Sequence, residues 1–372
     1  MTEIANDDYG LSKVAGDSEM EAPDLLYRPR DPQRYRPAIG LIGCGGISAH
    51  HLAAYQQAGY HVVALCDLDE GRARERQTSY YPQADVYTNY HDLLRRDDIE
   101  VVDVATHPAE RLPILQSALE ARKHVLSQKP FVLDLDAGER LRELADRQGV
   151  RLAINQNGRW APHWSYLRAA VGQGLLGALT SADFAVHWDH SWTADTPFND
   201  IHDLILYDFA IHWFDIVTAF FGSQQPQRVR ASVSRATAQR GRPPMLAHVL
   251  IDYPQAQATM HFDATVVHGQ QDRTFLAGTQ GSAVSVGPSL SEQAITLHTA
   301  SGYCHPPLQG TWFRDGFHGT MAELLCAIEE GRDPITSPQE NLRSLALAFA
   351  AIASAHDGVA KVPGEVRHLP QA

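Results

Sequence analysis

The stretch "GLIGCGGISAHHLAAY", residues 40–55, sets Gly43, Gly45 and Gly46 within four residues, between a short apolar run and a helical pattern. Glycines gathered in this way leave room for something to approach the backbone closely. Gly43 and Gly45 fit the first two places of a G-x-G-x-x-G/A fingerprint, and Ser48 stands in the third. In that fingerprint the first glycine makes the tight turn, the second admits a pyrophosphate, and the third lets helix and strand pack. An ordinary glycine turn between a strand and a helix has the same local look, so the surroundings must decide.

Before the loop, "PAIGLIG" reads as a buried parallel strand; after it, "ISAHHLAAYQQAGY" reads as a helix closed by Gly59. A second apolar run, "HVVALCD", ends on Asp67, where an acidic residue would meet the adenosine ribose of a dinucleotide. A carboxylate there accepts hydrogen bonds from the ribose hydroxyls and repels a 2′-phosphate. The expected cofactor is therefore NAD rather than NADP, held by Gly43, Gly45, Gly46, Ile47, Ser48 and Asp67. Arg72 and Arg74 follow at helix spacing and read as a solvated face.

From Ala38 onward, apolar runs alternate with helical segments: "VVDVAT", "PILQSALEA", "HVLSQKP", "AGERLRELADRQG", "VRLAIN". Such alternation means parallel strands with covering helices. Near Asn157 the pattern changes to longer alternating runs, "LTSADFAVHW", "QRVRASVSRAT", "MLAHVLIDY", "AQATMHFDA" and "RTFLAGT", as an antiparallel sheet with one solvated face requires. The predicted fold is α/β: a Rossmann domain with a parallel sheet over 37–156, then an α+β domain over 157–372 with a large, mostly antiparallel, open-faced sheet. Residues 1–36 lack periodicity and read as a flexible extension or an arm on a neighbouring subunit.

Composition excludes several classes of function. A net charge of -13 opposes a nucleic-acid or anionic-membrane partner. No apolar run reaches the roughly 20 residues of a membrane span, and the first residues show no export signal. The cysteines, Cys44, Cys66, Cys304 and Cys326, are scattered, as reduced thiols of a cytoplasmic protein would be. Histidines His187 and His190 in "HWDH" would point to opposite faces of a strand, so no metal site is expected there.

Oxidising an alcohol by hydride transfer needs a group to take the hydroxyl proton and a group to hold the carbon against the cofactor. Lys129 ends the apolar strand "HVLSQKP", at the carboxyl edge where open α/β sheets bind ligands. Asp208 and His212 stand at i and i+4 in the apolar run "DLILYDFAIHWFDIVTAFFG" and share a helix face. Charged side chains in so apolar a helix need partners or a cavity.

These motifs together resemble the Gfo/Idh/MocA oxidoreductase family, named for glucose-fructose oxidoreductase and inositol dehydrogenase. "GLIGCGGIS" matches its nucleotide loop, "SQKP" its E-K-P signature, "NQNGRWAP" its N-x-R-[FW]-x-P segment and "DFAIHWFD" its D-x-x-x-H helix. The resemblance implies that Lys129 orients and polarises the substrate hydroxyl, that Asp208 binds the substrate and that His212 is the general acid/base. It further implies that Thr106, His107, Gln128, Asn157 and Arg159 line the cofactor site, with Arg159 reaching the substrate, and that the chain forms a homodimer or homotetramer.

The chain departs from the family pattern at three points. Gln128 replaces the glutamate of E-K-P, Arg111 stands where T-P-P-x-x-H has histidine, and His202, Asp203 and Leu204 replace glycines before the catalytic aspartate. The segment "HWDHSWTADTPFNDIHD" is the expected specificity region, with Trp188, Trp192 and His202 as substrate-binding candidates. The expected activity is hydride transfer between NAD and a secondary alcohol of a sugar, glycoside or polyol. The alternative is a redox-neutral NAD-dependent glycosidase.

Overall fold

A computed structural model describes residues 18–371. The first half builds a six-stranded sheet from β1 (Ala38–Ile42), β2 (His61–Cys66), β3 (Asp85–Tyr87), β4 (Ile99–Val104), β5 (His124–Gln128) and β6 (Leu152–Asn155). Its order is β3-β2-β1-β4-β5-β6 and all its pairings are parallel, which is the Rossmann order. Helices α1 (Ser48–Ala58), α2 (Glu70–Tyr80), α3 (Tyr90–Leu94), α4 (Pro108–Glu120) and α5 (Leu135–Gln148) make the crossovers. Strand order reverses between β1 and β4, so a crevice opens at their carboxyl ends.

The second half begins with a short 3₁₀ turn, Asn157–Trp160, and α6 (Pro162–Gly172). An eight-stranded sheet follows, from β7 (Leu179–His187), β8 (Arg228–Ser234), β9 (Leu246–Tyr253), β10 (Ala256–Asp263), β11 (Gln271–Gly278), β12 (Gly281–Ser289), β13 (Glu292–Thr299) and β14 (Gly302–Cys304). It is ordered β14-β13-β12-β11-β7-β10-β9-β8, with one parallel pair, β7 with β10. Burial alternates along most of its strands: Ala182, Phe184 and Val186 of β7 are buried while Asp183, Ala185 and His187 are only partly covered. One face therefore carries the core and the other is open. Strands β12 to β14 were not among those read from sequence, although "SAVSV" and "AITLH" alternate as strands do.

The apolar run before the second sheet closes is not one helix. It opens with a single π-helical turn, Ile205–Phe209, in which Ala210 N donates to Ile205 O at 2.7 Å, and continues as α7 (Ile211–Phe221). Two long helices end the fold, α8 (Trp312–Glu330) and α9 (Pro338–Asp357).

These last helices return to the first domain. Phe317, Met321, Leu324 and Leu325 of α8 share a core with Ile39, Leu41, Leu52 and Tyr55. A cut after residue 156 divides the sequence, but the packing crosses it. Within that core His51 Nδ1 and Tyr55 Oη both lie 2.6 Å from Asp103 Oδ2, tying α1 to β4.

Residues 18–36 do not form a loose extension, and they lie on their own chain rather than reaching away from it. Met20 N donates to Tyr303 O at 2.8 Å, Ser165 Oγ to Tyr27 O at 2.6 Å, and Glu329 accepts from the amides of Gln33, Arg34 and Tyr35. A carboxylate acceptor at the end of a folded helix, Glu329 of α8, accounts for the ordering of 33–35. The rest of the expected extension, 1–17, lies outside the described residues. Among the described residues no helix is long and apolar enough to cross a membrane.

Candidate active site

The glycine loop joins β1 to α1. Gly43 has φ +99°, and a Cβ there would meet Thr106 N at 2.8 Å, so glycine is required on both conformational and steric grounds. Beside Gly45 and Gly46 a Cβ would meet nothing within 4 Å, so open space faces the start of α1, and the positive end of a helix attracts phosphate. Ser48 is buried and its Oγ donates to Gly45 O at 2.6 Å, so the serine in the third place of the fingerprint ties the helix start to the loop.

Asp67 caps the end of β2. Its Oδ2 accepts from Cys44 N at 2.7 Å and its Oδ1 from Asp69 N at 2.9 Å, which fixes the carboxyl group beside the loop. Arg72 and Arg74 pair with Asp69 and Glu70 on the exposed face, as read. Arg76, which sequence reading passed over, reaches back to the loop, with Nε 3.1 Å from Ser48 Oγ and Nη2 3.3 Å from Gly45 O. Only the packing of α2 against α1 makes this visible. Thr106 Oγ1, at the end of β4, is buried with no partner, and His107 is exposed at the start of α4. Open space at the helix start, a carboxyl group fixed at the end of β2 and an unsatisfied hydroxyl together fit a dinucleotide.

Lys129 follows β5 across the crevice. Its Nζ lies 3.2 Å from Asp208 Oδ1 and donates to Asp208 O at 2.9 Å, so the Rossmann domain touches the π turn through this side chain. Gln128 Oε1 accepts from Lys129 N at 2.9 Å. Arg111 completes the frame: it is 1 % exposed, and its guanidinium donates to the carbonyl oxygens of Thr106, Gln128 and Pro130. Those carbonyls lie at the ends of β4 and β5 and on either side of Lys129. Among the described residues no carboxylate bonds to this arginine directly, and burial lowers its pKa to about 10 against the raising effect of Tyr207, Asp208, Asp103 and Glu110.

His212 sits one turn beyond Asp208, buried against Trp312, with the rings perpendicular at 5.1 Å. Burial, and then the charge of Lys129, hold its imidazole well below the ordinary histidine range, so it is neutral. Its Nδ1 has no partner. Trp312 is fixed in turn by Nε1 donating to Asn157 Oδ1 at 2.8 Å. Asn157 thus acts through Trp312 on the wall of the site.

Two expectations are corrected. Arg159 presents no charge to the crevice: it is 4 % exposed, and its Nε and Nη2 grip Asp215 at 2.6 and 2.8 Å while Nη1 donates to Ile335 O at 2.6 Å. A bidentate buried pair of this kind clamps the 3₁₀ turn to α7. His202 does not line the crevice either; it faces Asp203 (3.3 Å) and stands beside His356, whose Nε2 is 2.9 Å from the same carboxyl group. These three lie close enough to hold a metal ion, and the contacts of both imidazoles with Asp203 already tie this segment to α9. The bulky residues before the π turn therefore dock it on α9, and Leu204 is wholly buried.

A separate small apolar crevice is lined by Val186, Trp188, Ile205, Phe209, Trp213 and Phe262, with His190 at its edge; His212 does not line it. Trp188 stacks on His190, with ring centroids 5.4 Å apart and planes within 6°. Trp192, 49 % exposed, meets Phe198 and Phe209 at the rim. Trp188 Nε1, Trp213 Nε1, His190 Nδ1 and Tyr207 Oη are all buried without partners. His187 is turned instead to the open sheet face, against His261, so the two histidines of "HWDH" do diverge.

Comparison with known proteins identifies the family and the fold. Residues 38–156 match the model of an oxidoreductase family with an NAD-binding Rossmann fold, and residues 164–284 match the GFO/IDH/MocA C-terminal domain. The chain is 26% identical over 336 residues to a D-apiose dehydrogenase of Paraburkholderia graminis, covering 86% of this chain and 87% of that protein. An oxidoreductase from Agrobacterium radiobacter, solved in complex with NAD+, L-tartaric acid and magnesium, superposes with a TM-score of 0.80 at 19% identity, covering 88% of this chain and 99% of that one. A levoglucosan dehydrogenase, solved with NADH and levoglucosan, gives 0.75 at 18% identity, covering 90% and 100%.

Proposed function

The chain belongs to the Gfo/Idh/MocA family of NAD-binding oxidoreductases, and on that premise we propose that it is a dehydrogenase of a secondary alcohol on a sugar, glycoside or polyol. The observation that carries this reading is the meeting of Lys129, Asp208 and His212 at the crevice between the domains. The substrates printed in the names of its relatives, D-apiose and levoglucosan, point to the same class.

NAD, when bound, supplies a hydride acceptor at its nicotinamide carbon; the chain's own residues do the rest. Gly43, Gly45, Gly46, Ile47 and Ser48 would hold the pyrophosphate and Asp67 the ribose. Lys129 directs its ammonium at the reacting hydroxyl and stabilises developing alkoxide character. Asp208 orients the neighbouring hydroxyl while keeping Lys129 in place. The neutral His212 imidazole accepts the hydroxyl proton, and in the reverse direction returns it. Trp188 and Trp192 offer faces to a ring's apolar side, and the unpartnered donors at Trp188, Trp213 and His190 await substrate oxygens. A second copy of the chain would cover the open sheet face, giving a homodimer or homotetramer, and the expected setting is cytoplasmic.

The test is a panel of sugars, glycosides and inositols with NAD or NADP, followed by nicotinamide absorbance. Turnover of at least one polyhydroxylated substrate with NAD is expected. Absorbance that stays flat across the panel, with an aryl glycoside cleaved repeatedly without added NAD, would replace dehydrogenation with the redox-neutral glycosidase.

A further inference from the structure

Asp203 opens the π turn: its carbonyl oxygen accepts from Tyr207 N at 2.8 Å, one helical turn along. Its carboxyl group is largely buried, at 8% exposure, and among the described residues no lysine or arginine pairs with it. Both of its ionisable partners are imidazoles. His356 Nε2 lies 2.9 Å from Oδ1 and 3.1 Å from Oδ2, and His202 Nδ1 lies 3.3 Å from Oδ1. The two rings are inclined at 69° with centroids 5.8 Å apart, so they meet the carboxyl group without stacking on each other. A second grouping of the same residue types, Asp134, Asp136 and His368, differs, because Arg140 and Arg367 already pair with its carboxyl groups.

Two imidazoles and one carboxylate are a donor set for a divalent transition metal, whereas magnesium and calcium take oxygen ligands. We propose that His202, Asp203 and His356 bind a zinc-class ion, and that the ion pins the start of the π turn to the end of α9. Tetrahedral zinc, with bonds of roughly 2.0–2.2 Å, sets its ligand atoms about 3.4 Å apart. The contacts of 2.9 and 3.3 Å are close to that spacing, and all three ligand atoms lie within 4.8 Å of one another. His202, with half its side chain exposed, has room to turn inward. Water completes the fourth position. On binding, each neutral imidazole carries its hydrogen on the ring nitrogen that faces away, and the ion takes the place of the hydrogens that face Asp203. His356 stands in the last turn of α9, where the helix end favours positive charge. Asp208 lies in the turn that Asp203 opens, so the ion orders the segment that carries it. Ion binding does not depend on the dehydrogenase activity proposed above.

The experiment titrates the full-length protein, stripped of metal with a chelator, first with Co2+ and then with Zn2+. Wild type should take up Co2+ with the intense visible absorption of a four-coordinate ion; Zn2+ should displace it, and Mg2+ or Ca2+ should not. His202→Ala and His356→Ala should each weaken Zn2+ binding by at least about tenfold, since loss of a merely supporting residue costs that much. Asp203→Asn should do the same. In wild type Zn2+ should slow amide hydrogen exchange over residues 203–210, and in either histidine variant it should not. The absence of saturable Co2+ absorption in wild type overturns the site, as does a Zn2+ affinity unchanged in both histidine variants. Should His356→Ala not fold, His202→Ala, at an exposed position, decides alone. Binding that leaves exchange over 203–210 unaltered overturns the pinning. None of these measurements requires turnover, so failure of the proposed dehydrogenation is a separate result.

Discussion

Lys129 Nζ grips Asp208 twice, at 3.2 Å from the carboxyl oxygen Oδ1 and at 2.9 Å from the residue's own carbonyl oxygen. One ammonium thus holds both the side chain and the backbone of the π turn, and links the two domains across the crevice. Lys129→Ala should lower kcat by about 10²- to 10³-fold through lost stabilisation of developing charge. Asp208→Asn keeps the carbonyl contact, so it should raise KM as well as lower kcat. The double variant should fall well short of the product of the two, since both act on one hydroxyl. Steady-state kinetics on proteins shown to bind NAD decide this; near-normal turnover in Lys129→Ala removes the assigned role.

His212 should behave as a neutral base. Its pKa is lowered by burial, so no histidine limb should appear in the pH–rate profile near 6.5, and activity should be lost only well below it. His212→Ala should reduce kcat by about 10²- to 10⁴-fold with NAD binding intact. The same burial affects stability. His163 is pushed down to about 3 and His124 and His190 to about 4. In each case the unfolded state takes up the proton first, so stability is full above pH 6.5 and declines as pH falls from there. Urea midpoints that stay level from pH 7 to pH 5 would contradict it.

How much of this was legible in the sequence follows from the range of each interaction. The glycine loop, Asp67, Lys129, Asp208 and His212 are read locally, because a turn, a strand end or an i, i+4 spacing places them. Arg159 misled for the opposite reason: its partner, Asp215, is distant in sequence, and only packing reveals that its charge is neutralised. Arg111 was read only as a departure from the family pattern and Arg76 was passed over, because the carbonyls and the Ser48 hydroxyl that they reach come together only in the fold. His202 looked like a pocket residue until α9 brought His356 against Asp203. The π turn had no signal, since the apolar run reads as continuous helix.

Cofactor choice can be tested at Asp67. With its carboxyl group fixed by two backbone amides, a 2′-phosphate would meet like charge at a cost of several kcal/mol. NAD should therefore bind roughly 10²-fold more tightly than NADP, and Asp67→Ala should narrow the gap, helped by Arg76 beside the loop. Tighter binding of NADP by wild type would refute the assignment.

The open face of the second sheet should bury itself against another copy. Leu250, Phe275 and Val284 lie partly covered on it, and Val286 is 37% exposed. Phe275 pairs with Val284 across β11 and β12, and grouped, partly exposed apolar side chains of this kind mark an interface. Wild type should sediment as a dimer or tetramer at micromolar concentration, and Phe275→Asp with Val286→Asp should give a folded monomer. A wild-type monomer ends the proposal.

Asp272 offers a test of pH-linked stability away from the catalytic groups. It lies on the core side of β11, wholly buried, with Oδ1 accepting from Gln293 Nε2 at 3.2 Å and Oδ2 unpartnered. Burial pushes its pKa from 3.8 up to about 8, so the folded protein keeps a proton that the unfolded chain releases. A carboxyl group raised in this way leaves stability intact below pH 4 and erodes it as pH rises toward 8. At one pKa unit per 1.36 kcal/mol, the cost at pH 7 is about 4 kcal/mol. Asp272→Asn retains an acceptor for Gln293 and cannot ionise. Its advantage over wild type should therefore widen by about 4 kcal/mol between pH 5 and pH 8, while the histidines common to both proteins cancel in the difference. Paired urea titrations at those pH values measure the gap; if it does not change with pH, the Asp272 carboxyl group does not hold its proton in the folded protein.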